Sequence, residues 1–262
     1  MIETELSASY VHPHWRQALQ GCGLTTIDDW LALDRTLVDK PNRRGRGLSQ
    51  VFSAVVTDPD GVEKRVYIKH QRNYVRRSVR HPFRGQATLY QEYKAMMRCW
   101  QMGVPVVEPL FFSANNVSGD REAMLVSLGL ENFQSLDRAP LHQLPLGRRL
   151  ALIRDVAAAV RLLHEQGLAH QNLYPKHVFV AWSELLQRYD ARFIDLERCR
   201  PHYQHWRPRV RDLESLARRT KGLSDRDRLR FLREYLAQPL GGAAGRSLLD
   251  RLERKFKDKV GR

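Results

Sequence analysis

The feature that most constrains this fold is a long helical repeat of apolar residues near the middle of the chain. Apolar side chains recur every three or four positions over five turns, at Leu146, Leu150, Ile153, Val156/Ala157, Val160 and Leu163. This period places them on one face of an α-helix, and Gly167 marks the end of that helix. The pattern predicts a long buried helix in the second half of the chain.

A β-hairpin is predicted in the first half of the chain. Residues 51–56 are rich in β-branched side chains, and the turn sequence Asp-Pro-Asp-Gly follows at 58–61. Proline presets φ in such a turn, and glycine tolerates the positive φ that closes it. The next run alternates, with Val66 and Ile68 on one face and Lys69 on the other, which is typical of a half-buried strand.

The remaining segments complete a layout with two lobes. We expect short helices over 1–40, a helix over 86–102, strands near 106–112, 123–128, 178–180 and 192–194, and helices over the last 50 residues. The fold class is therefore α+β, with a small antiparallel-sheet lobe followed by a mainly helical lobe. Residues 1–130 form the predicted N-terminal lobe, with a leading helical segment, a glycine loop, a β-sheet and one helix. Residues 131–262 form the C-terminal lobe.

The composition indicates a globular protein with an anionic partner. Hydrophobic residues make up 42% and charged residues 28% of the 262 residues, and no apolar stretch reaches the roughly 18–20 residues that would span a bilayer. The formal net charge of +15 favours nucleic acid, a nucleotide, a phosphorylated sugar or an acidic membrane face as a partner.

The cysteines and the N-terminus favour a cytoplasmic location. Cys22, Cys99 and Cys199 are odd in number, widely spaced and without a CxxC pair, so we expect reduced thiols and neither a disulfide framework nor a zinc site. The first 15 residues have neither a basic n-region nor an apolar h-region, so no secretory signal is visible.

Four features occur in the order that phosphoryl transfer requires. They are a basic glycine loop at 41–47 with Gly45 and Gly47, Lys69 at a strand end, Glu92 on the next helix, and the segment 170–177 followed by Asp195. A glycine loop lets backbone N–H groups approach phosphates, and a strand lysine pairs with phosphate oxygens while a helix glutamate holds it. A loop after the long helix then presents the hydroxyl-activating residue and a metal ligand, and a final aspartate holds Mg²⁺.

These motifs resemble the lipopolysaccharide core kinases of the Kdo/WaaP type, including their InaA-like branch. The residues that carry the resemblance, which covers roughly 45–240, are Tyr67-Ile68-Lys69, Tyr90-Gln91-Glu92-Tyr93, Gly103-Val104-Pro105, His164-Glu165-Gln166-Gly167, His170–His177, Phe193–Arg198, Trp206-Arg207, Asp212-Leu213 and 222–240. The family has a protein-kinase-like fold. The resemblance therefore implies two lobes and transfer of a phosphoryl group from ATP, with Mg²⁺, to a heptose or Kdo sugar of the lipopolysaccharide inner core.

The resemblance also implies individual roles. Lys69 would contact the nucleotide phosphates and Glu92 would orient it. His177 stands where eukaryotic-type kinases carry a metal-binding asparagine and where this family uses histidine, and Asp195 would be the principal Mg²⁺ ligand. Asp212 would brace the catalytic loop from below, and His170 is expected to pack beneath that loop.

One position departs from the family pattern. The catalytic base of the family is an aspartate, and this chain has Asn172 in its place. An amide cannot take a proton, so the general-base contribution of roughly 10²–10⁴-fold is expected to be absent. Because the phosphoryl transition state is loose, positioning carries most of the catalysis. The carbonyl of Asn172 still orients a hydroxyl in this hypothesis, with Glu197 as a substitute base.

Two basic regions complete the sequence hypotheses. Residues 72–84 hold Arg72, Arg76, Arg77, Arg80 and Arg84, with Tyr74 and Phe83 as the aromatic residues between them. Arginine forks match phosphate geometry, so a phosphorylated lipopolysaccharide core is favoured as the partner over a nucleic acid. At the C-terminus, Leu248/Leu249, Leu252, Phe256 and Val260 form an apolar stripe flanked by Arg251, Arg254, Lys255, Lys257 and Lys259. Either this helix lies on an anionic inner-leaflet surface, which would make the protein peripheral on the membrane, or it packs on the large lobe.

Three classes of function remain open at this point. The first is a kinase with slow or altered activity. The second is a nucleotide-binding pseudokinase or regulatory protein with little or no turnover, because Asn172 replaces the catalytic aspartate. The third is an RNA-binding protein, for which no recognition motif accompanies the basic residues.

Overall fold

The computed structural model describes residues 8–78, 81–117, 120–203 and 205–260. It divides into two compact units, of which the first comprises residues up to Met97 together with Val107–Glu131. The second comprises Arg98–Val106 and the chain from Asn132 onward. The sequence boundary between 130 and 131 remains a prediction about domains; the second unit also takes in the short segment 98–106.

The first unit is built on an antiparallel sheet. Its strands, in chain order, are β1 (Ala8–Val11), β2 (Thr36–Leu37), β3 (Asn42–Arg44), β4 (Gly47–Thr57), β5 (Glu63–Arg72), β6 (Val75–Ser78), β7 (His81–Ala87), β8 (Pro109–Val117) and β9 (Asp120–Leu128). The main sheet has the order β1-β8-β9-β5-β4-β2, with β3 also pairing β4, while β6 and β7 pair with each other. The strand β5 is therefore central, with Lys69 opposite Val51 on β4 and Leu125 on β9.

Two short helices cover one face of this sheet. They are α1 (Arg16–Gly21) and α2 (Ile27–Ala32), and α2 begins with a capping box between Thr26 and Asp29. Trp30 of α2 is fully buried in a core that also holds Val66 and Ile68 of β5. The alternation predicted for β5 is confirmed, since these two side chains face the core and Lys69 faces the other way.

The helix α3 (Thr88–Gln101) follows β7 and lies on the face that Lys69 occupies. The predicted helix over 86–102 is confirmed with bounds within two residues. Tyr93 of α3 stacks on Phe112 of β8 with ring centroids 4.1 Å apart and an interplanar angle of 5°. This contact packs the helix on the sheet and leaves Glu92, one residue earlier, turned toward β5.

The second unit is mainly helical. Its helices are α4 (Leu146–Glu165), α5 (Trp206–Arg219), α6 (Asp225–Leu236) and α7 (Ala243–Val260). Its short strands are β10 (Gln134–Ser135), β11 (Leu168–Ala169), β12 (Val178–Ser183), β13 (Arg188–Phe193) and β14 (Arg200–Pro201), with 3-10 turns at Leu141–Gln143, Pro175–His177 and Leu196–Arg198. The antiparallel pairs are β10 with β12, β12 with β13, and β11 with β14.

The helix α4 is the long helix that the apolar repeat predicts, but its buried face begins at Leu152, since Leu146 is 56% exposed and Leu150 is half-buried. Its buried residues include Ile153, Val156, Val160 and Leu163, and Gly167 adopts a left-handed conformation with φ of 74° just beyond its end. The helix α6 begins with a capping box, in which Ser224 and Asp227 exchange hydrogen bonds. The two-lobed α+β architecture is confirmed.

Candidate functional site

In the first unit, Lys69 and Glu92 form a close ion pair. The Nζ atom of Lys69 on β5 lies 2.5 Å from Oε2 of Glu92, which stands in the second turn of α3. Glu92 is only 4% exposed, so its carboxylate is held in place and interacts with the ammonium in a medium of reduced dielectric. The pair has the geometry needed to aim a lysine at an anionic ligand.

Gln71 fixes the helix that carries Glu92. Its side-chain oxygen accepts hydrogen bonds from Oγ1 of Thr88, at 2.9 Å, and from the backbone N–H of Leu89, at 3.1 Å. The amide nitrogen of Gln71 donates a hydrogen bond to Oγ of Ser49 on β4, at 3.2 Å. Gln71 is two residues beyond Lys69 on the same face of β5, so one strand positions both the lysine and the start of α3.

Gln71 belongs to none of the sequence motifs that mark the site. The only available signal was its position two residues after the lysine, on the face predicted to be less apolar. Its partners Thr88 and Leu89 are 17 and 18 residues away, and no local pattern reveals such a pairing.

The glycine segment at 41–47 includes a short strand where a loop was predicted. Residues 42–44 are strand β3, and Gly45-Arg46 is the two-residue turn that connects it to β4. Gly45 has φ of 58°, in the left-handed region that favours glycine. Close packing at position 47 favours glycine, since a Cβ there would lie 2.7 Å from the backbone oxygen of Asn73. A role of Gly45 and Gly47 in covering phosphates stays a prediction.

In the second unit, a buried carboxylate holds the loop that follows β11. Asp212 on α5 is fully buried, and its two oxygens accept the backbone N–H groups of His170 and Gln171, each at 2.7 Å. Gln171 has φ of 58°, a left-handed conformation that a non-glycine residue adopts at a cost. The anchoring position that the resemblance implies for Asp212 is the one that it occupies.

His170 is buried beneath this loop. Its Nε2 donates to the backbone oxygen of Ile194 at 3.0 Å, and its ring stacks on that of His177 with centroids 5.9 Å apart. The ring thereby ties the loop at 170–177 to the end of β13, immediately before Asp195. This position fits the structural role expected for His170.

Asn172 and Asp195 are hydrogen-bonded to each other. The Nδ2 amide of Asn172 donates to Oδ2 of Asp195 at 3.1 Å. A carboxylate only accepts hydrogen bonds, so the amide nitrogen must face Asp195 and the amide oxygen must face away. Asp195 itself has φ of 58°, a left-handed conformation before the turn at Leu196–Arg198.

His177 places a second potential metal-ligand atom next to Asp195. Its Nδ1 donates to the backbone oxygen of Asn172 at 2.8 Å, and its Nε2 lies 3.3 Å from Oδ2 of Asp195. Burial lowers the pKa of His177, although the Asn172 carbonyl and Asp195 act in the opposite direction. In the neutral ring with a proton on Nδ1, the Nε2 lone pair faces the carboxylate, and two facing acceptors suit a cation between them.

The donor set fits a divalent cation. Two adjacent ligands of an octahedral Mg²⁺ are about 3.0 Å apart, since each lies roughly 2.1 Å from the ion, and the His177–Asp195 separation of 3.3 Å is close to this. Carboxylate oxygens of Asp195 and Glu197 also lie within 4.8 Å of one another. The nitrogen ligand makes Mn²⁺ a suitable alternative.

The basic segment at 72–84 is described only in part. Arg72 pairs with Asp120 at the surface, at 2.8 Å. Arg80 and the side chains of Arg76, Arg77, Phe83 and Arg84 lie outside the described residues, so the proposed role of this cluster remains a prediction.

At the C-terminus, Leu248 and Leu252 of α7 are buried within the second unit, as the packing alternative predicts, while the side chains of Phe256, Lys257, Lys259 and Val260 lie outside the described part. Exposed arginines, among them Arg251 and Arg254, flank the buried leucines. In the described ranges, no helix combines the length and the apolar character that crossing a bilayer requires.

Comparison with known proteins identifies the family. The model of the lipopolysaccharide kinase (Kdo/WaaP) family matches residues 28–235. Protein InaA of Escherichia coli K12 is 29% identical over 178 residues, which cover 66% of this chain and 78% of InaA. The lipopolysaccharide core heptose(I) kinase WaaP of Pseudomonas aeruginosa is 28% identical over 166 residues, covering 57% of this chain and 60% of WaaP.

A solved structure supports the same fold. The structure of WaaP in complex with acyl carrier protein aligns with a TM-score of 0.66 at 23% identity, and the alignment covers 96% of this chain and 98% of that one. The fold is therefore that of a protein kinase-like protein. With the family model matching most of its length, the chain belongs to the lipopolysaccharide kinase (Kdo/WaaP) family.

Proposed function

We propose that the protein is an ATP-dependent kinase that phosphorylates a sugar hydroxyl, on heptose or Kdo, in the lipopolysaccharide inner core. Membership of the family supports kinase chemistry on the lipopolysaccharide core. The observation that carries the proposal is the His177–Asp195 pair, in which an imidazole nitrogen and a carboxylate oxygen face each other at 3.3 Å. The Lys69–Glu92 ion pair adds the cationic group that nucleotide phosphates require.

Each residue has a defined part in this proposal. Lys69 binds phosphate oxygens of ATP, and Glu92 restricts the lysine to one orientation through their short ion pair. His177 and Asp195 hold Mg²⁺, whose positive charge offsets the negative charge that develops on the phosphates during transfer. Asp212 keeps the loop carrying Asn172 in position through the backbone of His170 and Gln171.

Asn172 limits how the acceptor hydroxyl is activated. Its amide nitrogen is engaged by Asp195, so its oxygen is the atom that accepts a hydrogen bond from a substrate hydroxyl. This orients the hydroxyl for attack on the γ-phosphorus: as the new P–O bond forms, the bond to the ADP leaving oxygen breaks, and the hydroxyl proton passes to the carboxylate of Glu197, the substitute base beside Asp195. Since an amide takes no proton, turnover is expected to be slower than with a carboxylate, by about 10²–10⁴-fold.

The test is transfer of labelled γ-phosphate from ATP to dephosphorylated core lipopolysaccharide in the presence of Mg²⁺. We expect Asp195→Ala to abolish transfer and Asp190→Ala to retain it. Asp190 is a suitable control because it lies on β13, the strand that leads to Asp195, and pairs with Arg192 at the surface. Equal transfer by the native protein and Asp195→Ala would overturn the proposal.

The alternative is a nucleotide-binding pseudokinase or regulatory protein. The specific observation in its favour is the hydrogen bond between Asn172 and Asp195, since the amide occupies one oxygen of the expected metal ligand. This alternative predicts that ATP raises Tm of the native protein and not of Lys69→Ala, while no phosphate is transferred. Transfer that appears only in Asn172→Asp would show that the substitution at this position removed the activity.

We also propose acyl carrier protein as a candidate protein partner. The related WaaP structure is a complex with acyl carrier protein, and the second unit of this chain holds an apolar cavity of about 420 Å³ between α4, α5, α6 and α7. Leu152, Val156, Leu216 and Leu249 are among the residues that line it. A cavity of this volume and character suits the chain of an acyl thioester.

Binding of acylated and unacylated carrier protein distinguishes this partner from a nonspecific one. Leu249→Trp fills the cavity and is expected to reduce binding of the acylated form. Leu229→Trp, on the exposed side of α6, is the matched control, because Leu229 is 46% exposed and does not line the cavity. Binding that is equal for both forms of the carrier and for both variants would argue against this partner.

A glycolipid acceptor implies contact with a membrane surface, so we further propose peripheral association with the cytoplasmic face of the inner membrane. The net charge of +15 and the exposed Arg251 and Arg254 on α7 support attraction to anionic lipid. Cosedimentation with anionic but not zwitterionic vesicles, lost at high salt, is the expected result. Equal sedimentation with both kinds of vesicle would contradict it.

A further inference from the structure

We infer that Tyr235 and His164 are positioning residues for the loop that carries Asn172. They act on it through Asp212, and the inference rests on the proposed function only in assigning a catalytic purpose to the loop.

A continuous hydrogen-bonded chain joins α6 to the loop. The hydroxyl of Tyr235 lies 2.8 Å from Nδ1 of His164 on α4, and Nε2 of His164 lies 3.2 Å from Oδ2 of Asp212 on α5. Asp212 then accepts the backbone N–H groups of His170 and Gln171. The three side chains come from three different helices and are all buried.

The donor and the acceptor in each of these hydrogen bonds follow from the two end members of the series, Asp212 and Tyr235. Asp212 is a carboxylate that accepts both loop N–H groups, so it needs a donor on Nε2 of His164. A neutral imidazole with its proton on Nε2 accepts a hydrogen bond at Nδ1, and the hydroxyl of Tyr235 is the donor of that bond. Burial raises the pKa of Tyr235 to about 12, so the hydroxyl keeps its proton at any working pH.

The backbone of His164 is held as well. His202 Nε2 donates to the carbonyl oxygen of His164 at 2.8 Å, and the two rings meet edge to face with centroids 6.3 Å apart. The imidazole of His164 also meets the ring of Tyr235 edge to face, at 5.6 Å. The ring is therefore fixed on both sides, and its Nε2 remains aimed at Asp212.

The loop needs this support because its backbone is strained. Gln171, whose N–H is bound by Asp212, adopts φ of 58°, and Asn172 follows it directly. If the orientation of Asp212 relaxes, the left-handed turn at Gln171 loses one of the bonds that compensate for it. Asn172 would then sample more than one position relative to Asp195.

The test compares Tyr235→Phe with Tyr189→Phe by site-resolved amide hydrogen exchange. Tyr235→Phe removes only the hydroxyl that serves Nδ1 of His164, and Tyr189→Phe makes the same chemical change on β13, where the ring packs on Trp182. We expect the His170 and Gln171 amides to exchange about tenfold faster in Tyr235→Phe and at the native rate in Tyr189→Phe. The same two amides should exchange more slowly in His164→Gln, which keeps a donor toward Asp212, than in His164→Ala.

Two results would overturn the inference. One is an amide exchange rate at His170 and Gln171 that is the same in Tyr235→Phe as in the native protein. The other is an equal acceleration of amides throughout α4, which would indicate general loss of stability.

A second readout uses the transferase assay, in which Tyr235→Phe should lower kcat about tenfold at unchanged KM for ATP. A change confined to KM would count against a role in positioning the loop. Because the exchange measurement needs no activity, a native protein without transferase activity would refute the proposed function while leaving the positioning inference to be decided by exchange.

Discussion

The Nδ2 amide of Asn172 donates a 3.1 Å hydrogen bond to Oδ2 of Asp195, the residue expected to bind the metal. In a kinase with aspartate at this position, two carboxylates would face each other at that distance and would need a cation between them. Here an amide satisfies the carboxylate without one. The substitution therefore changes both the acceptor side of the site and the dependence of its structure on divalent cations.

Asn172→Asp should make the stability of the protein depend on Mg²⁺. Without the ion, the variant loses a hydrogen bond to a charged group and gains repulsion between two carboxylates, so we expect a loss of about 2 kcal/mol, or roughly 4–8 °C in Tm. Saturating Mg²⁺ should recover most of this loss, because it binds both carboxylates.

Asn172→Ala is the control for this prediction, since it removes the hydrogen bond and adds no charge. Differential scanning calorimetry with EDTA and with Mg²⁺ measures both effects. Equal Tm values for Asn172→Asp and Asn172→Ala in EDTA would show that repulsion between the two carboxylates does not destabilise the protein.

Gln71→Ala should loosen the Lys69–Glu92 pair. It leaves the N–H of Leu89 and the hydroxyl of Thr88 without their shared acceptor in a buried place, which costs about 1–3 kcal/mol. Since this amide anchors the start of α3, we also expect weaker ATP binding, measured by calorimetric titration. Ser49→Ala is the matched control, because it removes the partner of the Gln71 amide nitrogen and keeps the contact with α3. Native ATP affinity in Gln71→Ala would rule out this role.

Local signals in the sequence predicted the elements that are stabilised locally. The long helix α4 follows from its apolar period, and α2 and α6 begin at capping boxes formed by Thr26 and Ser224 with residues three positions later. The turn before β5 follows from Asp58, whose side chain accepts the N–H groups of Asp60 and Val62. In each case the partners are within four residues, so the pattern in the sequence contains the whole interaction.

Pairings between distant residues were not predictable in the same way. The expected short helices over 1–40 omitted β1, whose residues pair with Phe111–Ala114 of β8 a hundred positions later. The loop expected at 41–47 is partly strand because β4 supplies a partner for Asn42–Arg44. Among site residues, Lys69, Glu92, His177 and Asp195 had a family motif to identify them, while Gln71 and Tyr235 act through contacts that only the folded chain creates.

Lowering the pH should destabilise the protein through His202. This residue is 2% exposed, and burial lowers its pKa from 6.5, although its hydrogen bond to the His164 carbonyl acts in the opposite direction. The unfolded chain therefore binds a proton near pH 6.5 while the folded protein does not, so stability is full above pH 6.5 and falls as the pH drops below it. One such group contributes a slope of at most about 1.4 kcal/mol per pH unit.

Denaturant unfolding at several pH values between 7.5 and 5.5 measures this slope. His202→Gln, which keeps a donor toward the His164 carbonyl and does not titrate, should show a smaller slope than the native protein. His14→Gln provides a comparison at an exposed histidine and should keep the native slope. An unchanged slope in His202→Gln would exclude His202 as a source of the pH dependence.

Gly47 and Gly45 should respond differently to substitution, and the difference separates packing from phosphate binding. A Cβ at Gly47 meets backbone atoms, at 2.7 Å from the oxygen of Asn73 and 3.0 Å from Cα of Tyr74, so Gly47→Ala should cost about 1–3 kcal/mol and lower Tm by several degrees. At Gly45 nothing lies within 4 Å, and only the φ of 58° restricts the residue.

Gly45→Asn should therefore keep a nearly native Tm, because asparagine tolerates the left-handed conformation, whereas Gly45→Ala should lose roughly 1 kcal/mol. ATP affinity measured on the same variants tests the second role. If the turn at Gly45-Arg46 covers phosphates, a side chain at position 45 weakens ATP binding without lowering Tm. If the glycines serve packing alone, Gly47→Ala changes Tm and Gly45→Asn changes neither quantity.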